Sequence, residues 1–360
     1  MNKMVINDAQ TRQLLTEYFQ TYPNLQAEDV FKLLFQSSFG CEHLVSNFDK
    51  ALDYIKAEWQ SVTSSQKPLV ERLDGDYSRV HLACLTQGLA PQTLAKLFCM
   101  SAQSEADGLQ LLQQKLLVAT SLVECGTLPL DKQLFHKKLN TWRELGYPAI
   151  HHSQAFRSSY KPAYRVIANK YAKFLSVFTQ IDKLLAKGDV VVAIEGGSAS
   201  GKSTLANLLS QVYDCNVIHM DDFFLRPEQR TPERFAEIGG NVDYERFDEQ
   251  VVVSLRQGND VTLQPFDCST QTLGCPQVLP HKKLTIVEGV YSMHPHFGNY
   301  FNLSVFLDIS PNLQKQRVLV RNPSLANRFF EEWIPLENRY FDGANVQGRC
   351  DIVVDVNNND

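Results

Sequence analysis

The chain has 360 residues, of which 44% are hydrophobic and 21% charged, with a formal net charge of -5 and a sequence pI near 6.0. This composition predicts a globular protein of about two domains, and its acidic balance argues against nucleic acid as a partner. No stretch approaches the roughly 20 apolar residues of a membrane span. The polar N-terminus and eight scattered cysteines, none in a CxxC pair, predict a cytoplasmic protein with reduced thiols.

The first half of the chain, from residue 8 to about residue 187, has mainly the periodicity of helices. In CEHLVSNFDKALDYIKAEWQ apolar residues recur at steps of three and four, and PQTLAKLFCMSA and LQLLQQKLLVATSLVE repeat this rhythm. Within VERLDGDYSRVHLACL, the pair Asp74-Gly75 predicts the turn of a short hairpin. Residues 164–187 are predicted to form a helix that leads into a second domain.

Polar side chains are concentrated in the segment GYPAIHHSQAFRSSYKPAYRVI of this half. They are His151, His152, Ser153, Arg157, Tyr160, Tyr164 and Arg165, and Glu42, His43, Arg79 and His81 occur elsewhere in the same half. One hypothesis is an anion or sugar-phosphate pocket. The alternative is a seam between packed helices, in which buried polar groups are simply hydrogen-bonded. No paired ligand spacing supports a zinc site.

After AKGD, near residue 185, the pattern changes to that of a parallel sheet. The segments VVVAIE, NVIHM, LTIVEG, SVFLDI and DIVVDV are short, continuous apolar runs. Such runs are typical of strands that are buried on both faces of a parallel sheet. The sequence therefore predicts a mainly helical domain over residues 1–185 and an α/β domain over residues 186–360.

A phosphate-binding loop follows the first of these runs. The segment fits G-x-x-x-x-G-K-[ST] and continues with a threonine, so the predicted nucleotide-binding residues are Gly196, Gly197, Ser198, Ala199, Ser200, Gly201, Lys202, Ser203 and Thr204. The glycines let backbone N–H groups turn toward phosphate oxygens at a helix N-terminus. Lys202 is expected to reach the β- and γ-phosphates, and the Ser203 hydroxyl to bind Mg²⁺.

An acidic pair, Asp221-Asp222, follows the next apolar run in NVIHMDDFFLRP. A carboxylate at that strand end faces the γ-phosphate and is able to accept the proton of an attacking hydroxyl. Because neighbouring side chains of a strand point to opposite faces, the two aspartates are expected to have different roles. The alternative is that they cap a helix or lie in a solvated turn. A guanine-specific switch is disfavoured, since the Asn169-Lys170 pair precedes the loop and lacks the required aspartate.

Over residues 188–356 the chain resembles the phosphoribulokinase/uridine kinase family of P-loop kinases, and nicotinamide riboside kinases in particular. The matching segments are GGSASGKST, HMDDFF, NVDYERFD, QPFD, IVEGVY, LDIS with QRVLVR, and CDIVVDV. The resemblance implies that Asp221 is the catalytic base, that Glu288 supports Mg²⁺ and that Asp243 binds sugar hydroxyls of the acceptor. It also implies a lid segment with arginines that close over the transferring phosphate, namely Arg317, Arg321 and Arg328. For each arginine the alternative is solvation at the surface.

The acceptor region departs from the uridine kinase pattern. In QPFDCSTQTL, Phe266 replaces the usual tyrosine and Gln271 stands about where a histidine contacts the pyrimidine. Phe266 keeps an aromatic face for the acceptor but lacks the hydroxyl. A pocket without these polar groups selects poorly for a particular base. Uridine is therefore an unfavourable acceptor, and a non-nucleoside alcohol is plausible.

Together these features predict a doubly wound, mostly parallel α/β sheet with the nucleotide at the C-terminal strand ends. The predicted reaction is Mg²⁺-dependent transfer of the γ-phosphoryl group of ATP to a hydroxyl of a small metabolite. The helical domain is expected to shape the acceptor site. The alternative function is a regulatory ATP-binding protein whose helical domain binds a partner. ATP turnover that requires a small alcohol distinguishes the two.

Overall fold

The structure is a computed structural model that describes residues 8–41, 47–62, 68–102 and 108–357. The chain divides into two compact units, one of residues 1–175 and one of residues 176–359. This division lies earlier than the predicted boundary near residue 185. The reason is that the helix Leu175–Leu185 packs within the second unit, where the Tyr213 hydroxyl donates to Asp182 Oδ1 at 3.0 Å.

The first unit is mainly helical, as predicted. Its helices are α1 (Asp8–Thr21), α2 (Ala27–Phe39), α3 (Phe48–Trp59), α4 (Ala83–Thr86), α5 (Pro91–Ser101), α6 (Gly108–Glu124), α7 (Lys132–Glu144), α8 (Gln154–Tyr160) and α9 (Asn169–Ala172). Helix α7 shows why the periodicity was informative. Asp131 caps it by accepting a hydrogen bond from Leu134 N, and its buried residues Phe135, Leu139 and Trp142 lie on one face.

A three-stranded antiparallel sheet accompanies these helices, formed by β1 (Val70–Arg72), β2 (Tyr77–His81) and β3 (Tyr164–Ala168) in that order. The predicted hairpin is confirmed, and Gly75 in its turn has φ 105°, which favours glycine. The predicted helix over residues 164–187 is wrong at its start. Tyr164 pairs with His81 and Ala168 with Tyr77, so this segment satisfies its backbone as an edge of the sheet before the chain turns helical.

The second unit has the alternating elements of an α/β domain. Its helices are α10 (Leu175–Leu185), α11 (Lys202–Val212), α12 (Pro232–Ala236), α13 (Tyr244–Phe247), α14 (Val253–Gln257), α15 (Pro311–Arg321), α16 (Ala326–Arg328), α17 (Ile334–Gly343) and α18 (Val346–Arg349). Its strands are β4 (Val190–Gly196), β5 (Asn216–His219), β6 (Val261–Leu263), β7 (Phe266–Asp267), β8 (Thr272–Leu273), β9 (Gln277–Leu279), β10 (Leu284–Glu288), β11 (Leu303–Asp308) and β12 (Ile352–Asp355).

The five predicted apolar runs form one parallel sheet in the order β12-β11-β4-β10-β5. The predicted doubly wound fold is confirmed. Strand β4 is central and mostly buried, which explains its uninterrupted apolar sequence. The C-terminal ends of β4, β5 and β10 are adjacent, because Glu288 is in register with both Ile194 and His219. The residues that follow these three strands therefore meet at one edge of the sheet.

In the described parts of the chain, no helix is both long and apolar enough to cross a bilayer.

Candidate active site

The loop between β4 and α11 has the conformation of a phosphate-binding loop. Gly196 has φ 138°, and a Cβ atom at this position would lie 2.6 Å from the Leu307 carbonyl oxygen. Gly201 has φ 103° and forms the N-cap of α11. Both positions therefore require glycine, for backbone conformation and, at Gly196, for the close approach of β11. The loop leads directly into a helix N-terminus, where a phosphate is stabilised.

Lys202, the first residue of α11, bends across this loop. Its Nζ donates to the carbonyl oxygens of Gly196 (2.8 Å) and Gly197 (3.1 Å). Burial raises the pKa of Glu195, Asp221 and Glu337, and the positive charge of Lys202 opposes that rise. The same charge contributes to the lowered pKa of Glu288. One lysine thus faces several acidic groups, and loop carbonyls are its hydrogen-bond acceptors.

Glu288, at the end of β10, is buried beside the first turn of α11. Its Oε1 lies 2.6 Å from Nδ1 of His219, which ends β5, and the carboxylate also accepts from the Ser203 hydroxyl. Burial raises the pKa of Glu288, but the hydrogen bond from His219, the charge of Lys202 and the bond from Ser203 together bring it below its usual value. The hydrogen bond to Glu288 correspondingly raises the pKa of His219. The two residues predicted to serve Mg²⁺ are therefore in contact.

The acidic pair lies in a 3₁₀ turn, Met220–Phe223, directly after β5. The expectation that strand alternation would separate Asp221 from Asp222 is thus wrong, because the strand ends at His219. Solvent reaches Asp221, yet the surrounding protein still desolvates it enough to raise its pKa. Lys202 and Arg321 oppose this shift, and the charge of Glu288 adds to it. Desolvation also raises the pKa of Asp222.

Helices α15 and α17 hold the other side of the loop. From α15, Gln314 Nε2 donates to the Ser198 carbonyl at 3.0 Å, and Arg317 donates to the Ala199 carbonyl at 3.2 Å. From α17, the buried Glu337 accepts from Ser198 N at 2.8 Å and from the Ser198 hydroxyl. The structure therefore places Arg317 on the loop. Glu337 and Gln314 carry no motif and lie more than 100 residues from the loop, so the sequence did not reveal them.

Behind the loop, Glu195 is fully buried (0% exposed). Its Oε1 accepts from Met293 N (2.9 Å) and from the hydroxyl of Tyr340 (2.9 Å) in α17. Desolvation raises the pKa of Glu195 to about 7, although both hydrogen bonds and the charge of Lys202 oppose the shift. A second ionisable group that the sequence did not single out therefore lies directly beside the loop.

The acceptor residues predicted from the resemblance lie near the 3₁₀ turn. Asp243 is buried (1% exposed) and caps α13, and its Oδ2 lies 3.2 Å from Nε of Arg246, whose NH2 donates to the Asp222 carbonyl at 2.9 Å. Phe266, in β7, is buried beneath the guanidinium of Arg230, 5.8 Å from its ring centre. The Asp243 carboxylate is thus engaged in an ion pair, and the buried Phe266 ring contacts the Arg230 guanidinium.

The two remaining arginines of the predicted lid differ in their surroundings. Arg321 ends α15, and its charge opposes the rise in the pKa of Asp221 that burial causes. Arg328 pairs with Glu332 at 3.1 Å on the surface and lies 4.9 Å from the ring centre of Trp333. Of the two, Arg321 is the one within electrostatic reach of the predicted base.

Part of the polar cluster predicted in the first unit forms a buried hydrogen-bond network. His152 Nδ1 lies 2.8 Å from Oδ1 of Asp29 in α2, and its Nε2 lies 2.6 Å from the Tyr164 hydroxyl. Arg79 donates to Gln36 Oε1 at 2.8 Å and to the Tyr18 hydroxyl at 2.9 Å. These contacts match the packing-seam alternative.

Two other members of that cluster, Arg165 and Arg157, have side-chain partners outside the network. Arg165 pairs with Glu58 at 2.7 Å, while Arg157 donates to Gln154 on the exposed face of α8. Glu42 and His43 lie outside the described residues.

Among the described residues, no group of three or more His, Cys, Asp or Glu side chains is arranged to hold an ion. The described part of the chain therefore forms no metal site from protein groups alone. Mg²⁺, by contrast, is usually held by one or two protein oxygens together with substrate phosphates. Ser203 and Glu288, adjacent at the loop, fit that requirement.

Comparison with known proteins agrees with this geometry. Residues 191–328 match the model of the Phosphoribulokinase / Uridine kinase family, and the N-terminal half is not matched by it. No curated protein matches the chain significantly.

Several solved structures are similar to half of the chain. A protein described as a possible uridine kinase from Bacillus stearothermophilus is 27% identical and covers 50% of this chain and 100% of its own, with a TM-score of 0.38. A protein described as a fructose transport system kinase from Silicibacter sp. TM1040 is 22% identical and covers 46% of this chain and 89% of its own, with a TM-score of 0.39. Shikimate kinase from Bacteroides thetaiotaomicron is 15% identical and covers 46% of this chain and 84% of its own, with a TM-score of 0.23. Residues 191–328 of the second unit, which include the phosphate-binding loop, are thus similar to the phosphoribulokinase/uridine kinase family.

Proposed function

We propose that the protein transfers the γ-phosphoryl group of ATP, with Mg²⁺, to a hydroxyl group of a small metabolite. The observation that carries this proposal is the meeting of Lys202, Ser203, Asp221 and Glu288 at the C-terminal ends of β4, β5 and β10. A lysine, a hydroxyl and two carboxylates at a phosphate-binding loop are the groups that phosphoryl transfer needs.

In this proposal the nucleotide phosphates replace the acceptors that Lys202 has in the structure. Its ammonium group moves from the carbonyls of Gly196 and Gly197 to the β- and γ-phosphates. Ser203 and Glu288 hold Mg²⁺, which neutralises charge on the transferring phosphoryl group. His219 orients the Glu288 carboxylate through its hydrogen bond.

Asp221 acts as the general base for the acceptor hydroxyl. Its raised pKa makes it a better proton acceptor than an ordinary aspartate, and Lys202 and Arg321 supply positive charge beside it. Arg321 is then placed to stabilise the charge of the transferring phosphoryl group, while Arg317 supports the loop through its carbonyls.

The acceptor is proposed to be an alcohol other than uridine or cytidine. Phe266 offers an apolar wall with Arg230 above it, and it lacks the hydroxyl that the resemblance associates with uridine kinases. Gln271 is partly buried, with a positive φ of 59°, and its side chain donates to the Cys268 carbonyl. A site that does not hydrogen-bond a base has little means of selecting one.

The test is an acceptor screen with purified protein, in which ADP release is measured with ATP, Mg²⁺ and a panel of sugars, polyols, hydroxy acids and nucleosides. ADP release that depends on one class of alcohol supports the proposal. Lys202→Ala should abolish it, whereas Lys183→Ala, an exposed lysine of α10, should not.

Two outcomes of the screen would contradict parts of the proposal. Turnover that is independent of every alcohol favours a regulatory ATPase. Uridine phosphorylation with kcat/KM of about 10⁴ M⁻¹s⁻¹ or more contradicts the acceptor assignment.

A further inference from the structure

Glu337 occupies a position in which an anion meets the phosphate-binding loop. Its Oε2 lies 2.8 Å from Ser198 N, and the Ser198 hydroxyl donates to the same carboxylate. The side chain is buried, with 6% of its surface exposed. Backbone N–H groups of such loops are the donors that hold phosphate oxygens. In the structure, therefore, a protein carboxylate takes a donor that a phosphate would compete for.

The contacts of one peptide unit of the loop indicate which phosphate is concerned. Lys202 Nζ donates to the Gly197 carbonyl oxygen at 3.1 Å, and Glu337 accepts from the N–H of the next residue, Ser198. Burial raises the pKa of Glu337; the charge of Lys202 opposes this rise and the charge of Asp221 adds to it. The γ-phosphoryl group must lie between these two residues, because Lys202 binds the triphosphate and Asp221 faces the acceptor hydroxyl. The β-phosphate lies deeper in the loop. Glu337 is thus close to the place of the γ-phosphate.

Helix α17, which carries Glu337, makes a second contact beside the loop. Three residues after Glu337, Tyr340 donates to Glu195 Oε1 at 2.9 Å, so one helix holds residues on both sides of Gly196. The segment just before α17 contains the lid arginine Arg328, and Trp333 immediately precedes the helix. The Glu337 contact and the lid segment are therefore joined by a few residues of the chain.

We propose that Glu337 is the residue by which this kinase distinguishes a nucleoside triphosphate from a diphosphate. The carboxylate holds Ser198 when no γ-phosphate is present and gives way when one arrives, and its release moves α17 together with the lid segment. The inference rests on the proposed function, since it takes the loop as an ATP site. Two anions at one donor repel each other, so ATP binding includes the cost of this release and ADP binding does not.

The first test compares nucleotide affinities by calorimetry, using Mg²⁺ with ADP and with the non-hydrolysable imidotriphosphate of adenosine. Glu337→Gln keeps the size of the side chain and removes its charge. We expect the triphosphate Kd to fall about tenfold in this variant and the ADP Kd to change less than about twofold. The control is Glu331→Gln, an exposed carboxylate of the same segment, which should change neither.

Equal changes for the two nucleotides in Glu337→Gln, or weaker triphosphate binding, would overturn the proposal. Wild-type protein that binds neither nucleotide would overturn both this inference and the proposed function. A third outcome would overturn the role of Glu337 alone. In it, the wild-type protein binds both nucleotides and phosphorylates an alcohol, but Glu337→Gln changes the Kd of the triphosphate no more than the Kd of ADP.

The second test uses Trp333 as a reporter in the wild-type chain and so does not depend on the folding of a variant at position 337. The triphosphate should change the tryptophan fluorescence and ADP should not. The change should disappear in Trp333→Phe, in which Trp59 and Trp142 of the other unit remain. Identical signals with both nucleotides would contradict movement of the lid segment by the γ-phosphate.

Discussion

Both units bury ionisable side chains, but the two clusters differ in how their charges and donors are matched. In the first unit, Arg79 is 1% exposed and contacts groups of the fold: Gln36, Tyr18, Glu71 and the face of the Tyr164 ring. In the second unit, Lys202 faces four carboxyl groups and donates to carbonyls of a loop whose N–H groups suit phosphate. One cluster is internally complete, and the other has the donors and charges of a ligand site.

His152, in the buried network of the first unit, illustrates the same difference. Burial lowers the pKa of His152 to about 4, so the ring is neutral at physiological pH. Its Nδ1–H then donates to Asp29, whose pKa is lowered by that bond and those from Ser153, and its Nε2 accepts from the Tyr164 hydroxyl. A perturbed pKa alone thus does not identify a functional site, because structural networks shift pKa values as well.

The strongest test of this comparison removes the charge of the ligand site. In Lys202→Ala we expect phosphoryl transfer to fall by about 10³ or more, since positive charge on the transferring group contributes in that range. The fold should be retained, because Lys202 is only partly buried. Steady-state ADP release and circular dichroism provide the measurements. A variant with half of the wild-type turnover would exclude the loop from the mechanism.

The base assignment separates two neighbouring carboxylates of the same turn. Asp221→Asn should lower kcat by about 10²–10⁴ with ATP still bound, the usual contribution of general-base catalysis. Asp222→Asn should lower it less, or act mainly through the Mg²⁺ dependence. The measurement is kcat at saturating Mg²⁺ for both variants. A larger loss in Asp222→Asn would reverse the assignment.

In the first unit the corresponding substitution should affect stability instead of turnover. Arg79→Met leaves Gln36 and Glu71 without their cationic partner, and removal of one member of a buried charged pair typically costs about 3–5 kcal/mol. We expect the free energy of unfolding of this unit to fall by that amount, as measured by denaturant titration, with the KM for ATP unchanged. Arg12→Met, an exposed arginine of α1, is the matched control. A loss below about 1 kcal/mol would show that the network contributes little.

The buried Glu195 is expected to make the stability of the second unit depend on pH. Its pKa is raised to about 7 in the folded chain, so the folded state binds this proton more tightly than the unfolded state. Stability from this group is therefore present at low pH and is lost as the pH rises toward 7. Between pH 5 and pH 8 the wild type should lose roughly 2–3 kcal/mol relative to Glu195→Gln. If the unfolding free energies of the wild type and of Glu195→Gln change in parallel between these pH values, the raised pKa of Glu195 is contradicted.

The smallest expected effect concerns the expectation from the sequence that the first unit shapes the acceptor site. Arg157 lies on the exposed face of α8 outside the buried network, so it is free of that network's structural role. If this expectation holds, Arg157→Ala should raise the acceptor KM about fivefold, the size of one exposed charge contact, and leave the ATP KM unchanged. Lys161→Ala serves as a control. Kinetics equal to those of the wild type would favour a purely structural first unit.

The sequence by itself determined the local elements of this protein and the chemistry of its loop. Glycines at positions 196 and 201, a lysine and a serine in fixed spacing, and apolar runs of strand length act over a few residues, so they are visible without a structure. The parallel sheet, the hairpin at Gly75 and the helical first half followed from the same local rules. The segment at Tyr164 was predicted wrongly, because a strand at a sheet edge depends on its partner β2 and not on its own pattern.

Only the tertiary structure decided which distant residues complete the two clusters. Glu337 and Tyr340 reach the loop across about 140 residues, and Asp29 reaches His152 across 123. No spacing rule connects such positions, since their meeting depends on how helices pack after the chain has folded. The tertiary structure also places similar residues in different surroundings. Arg79 and Lys202 are both cations among polar groups, but packing surrounds one with fixed partners and places the other at a loop built for phosphate.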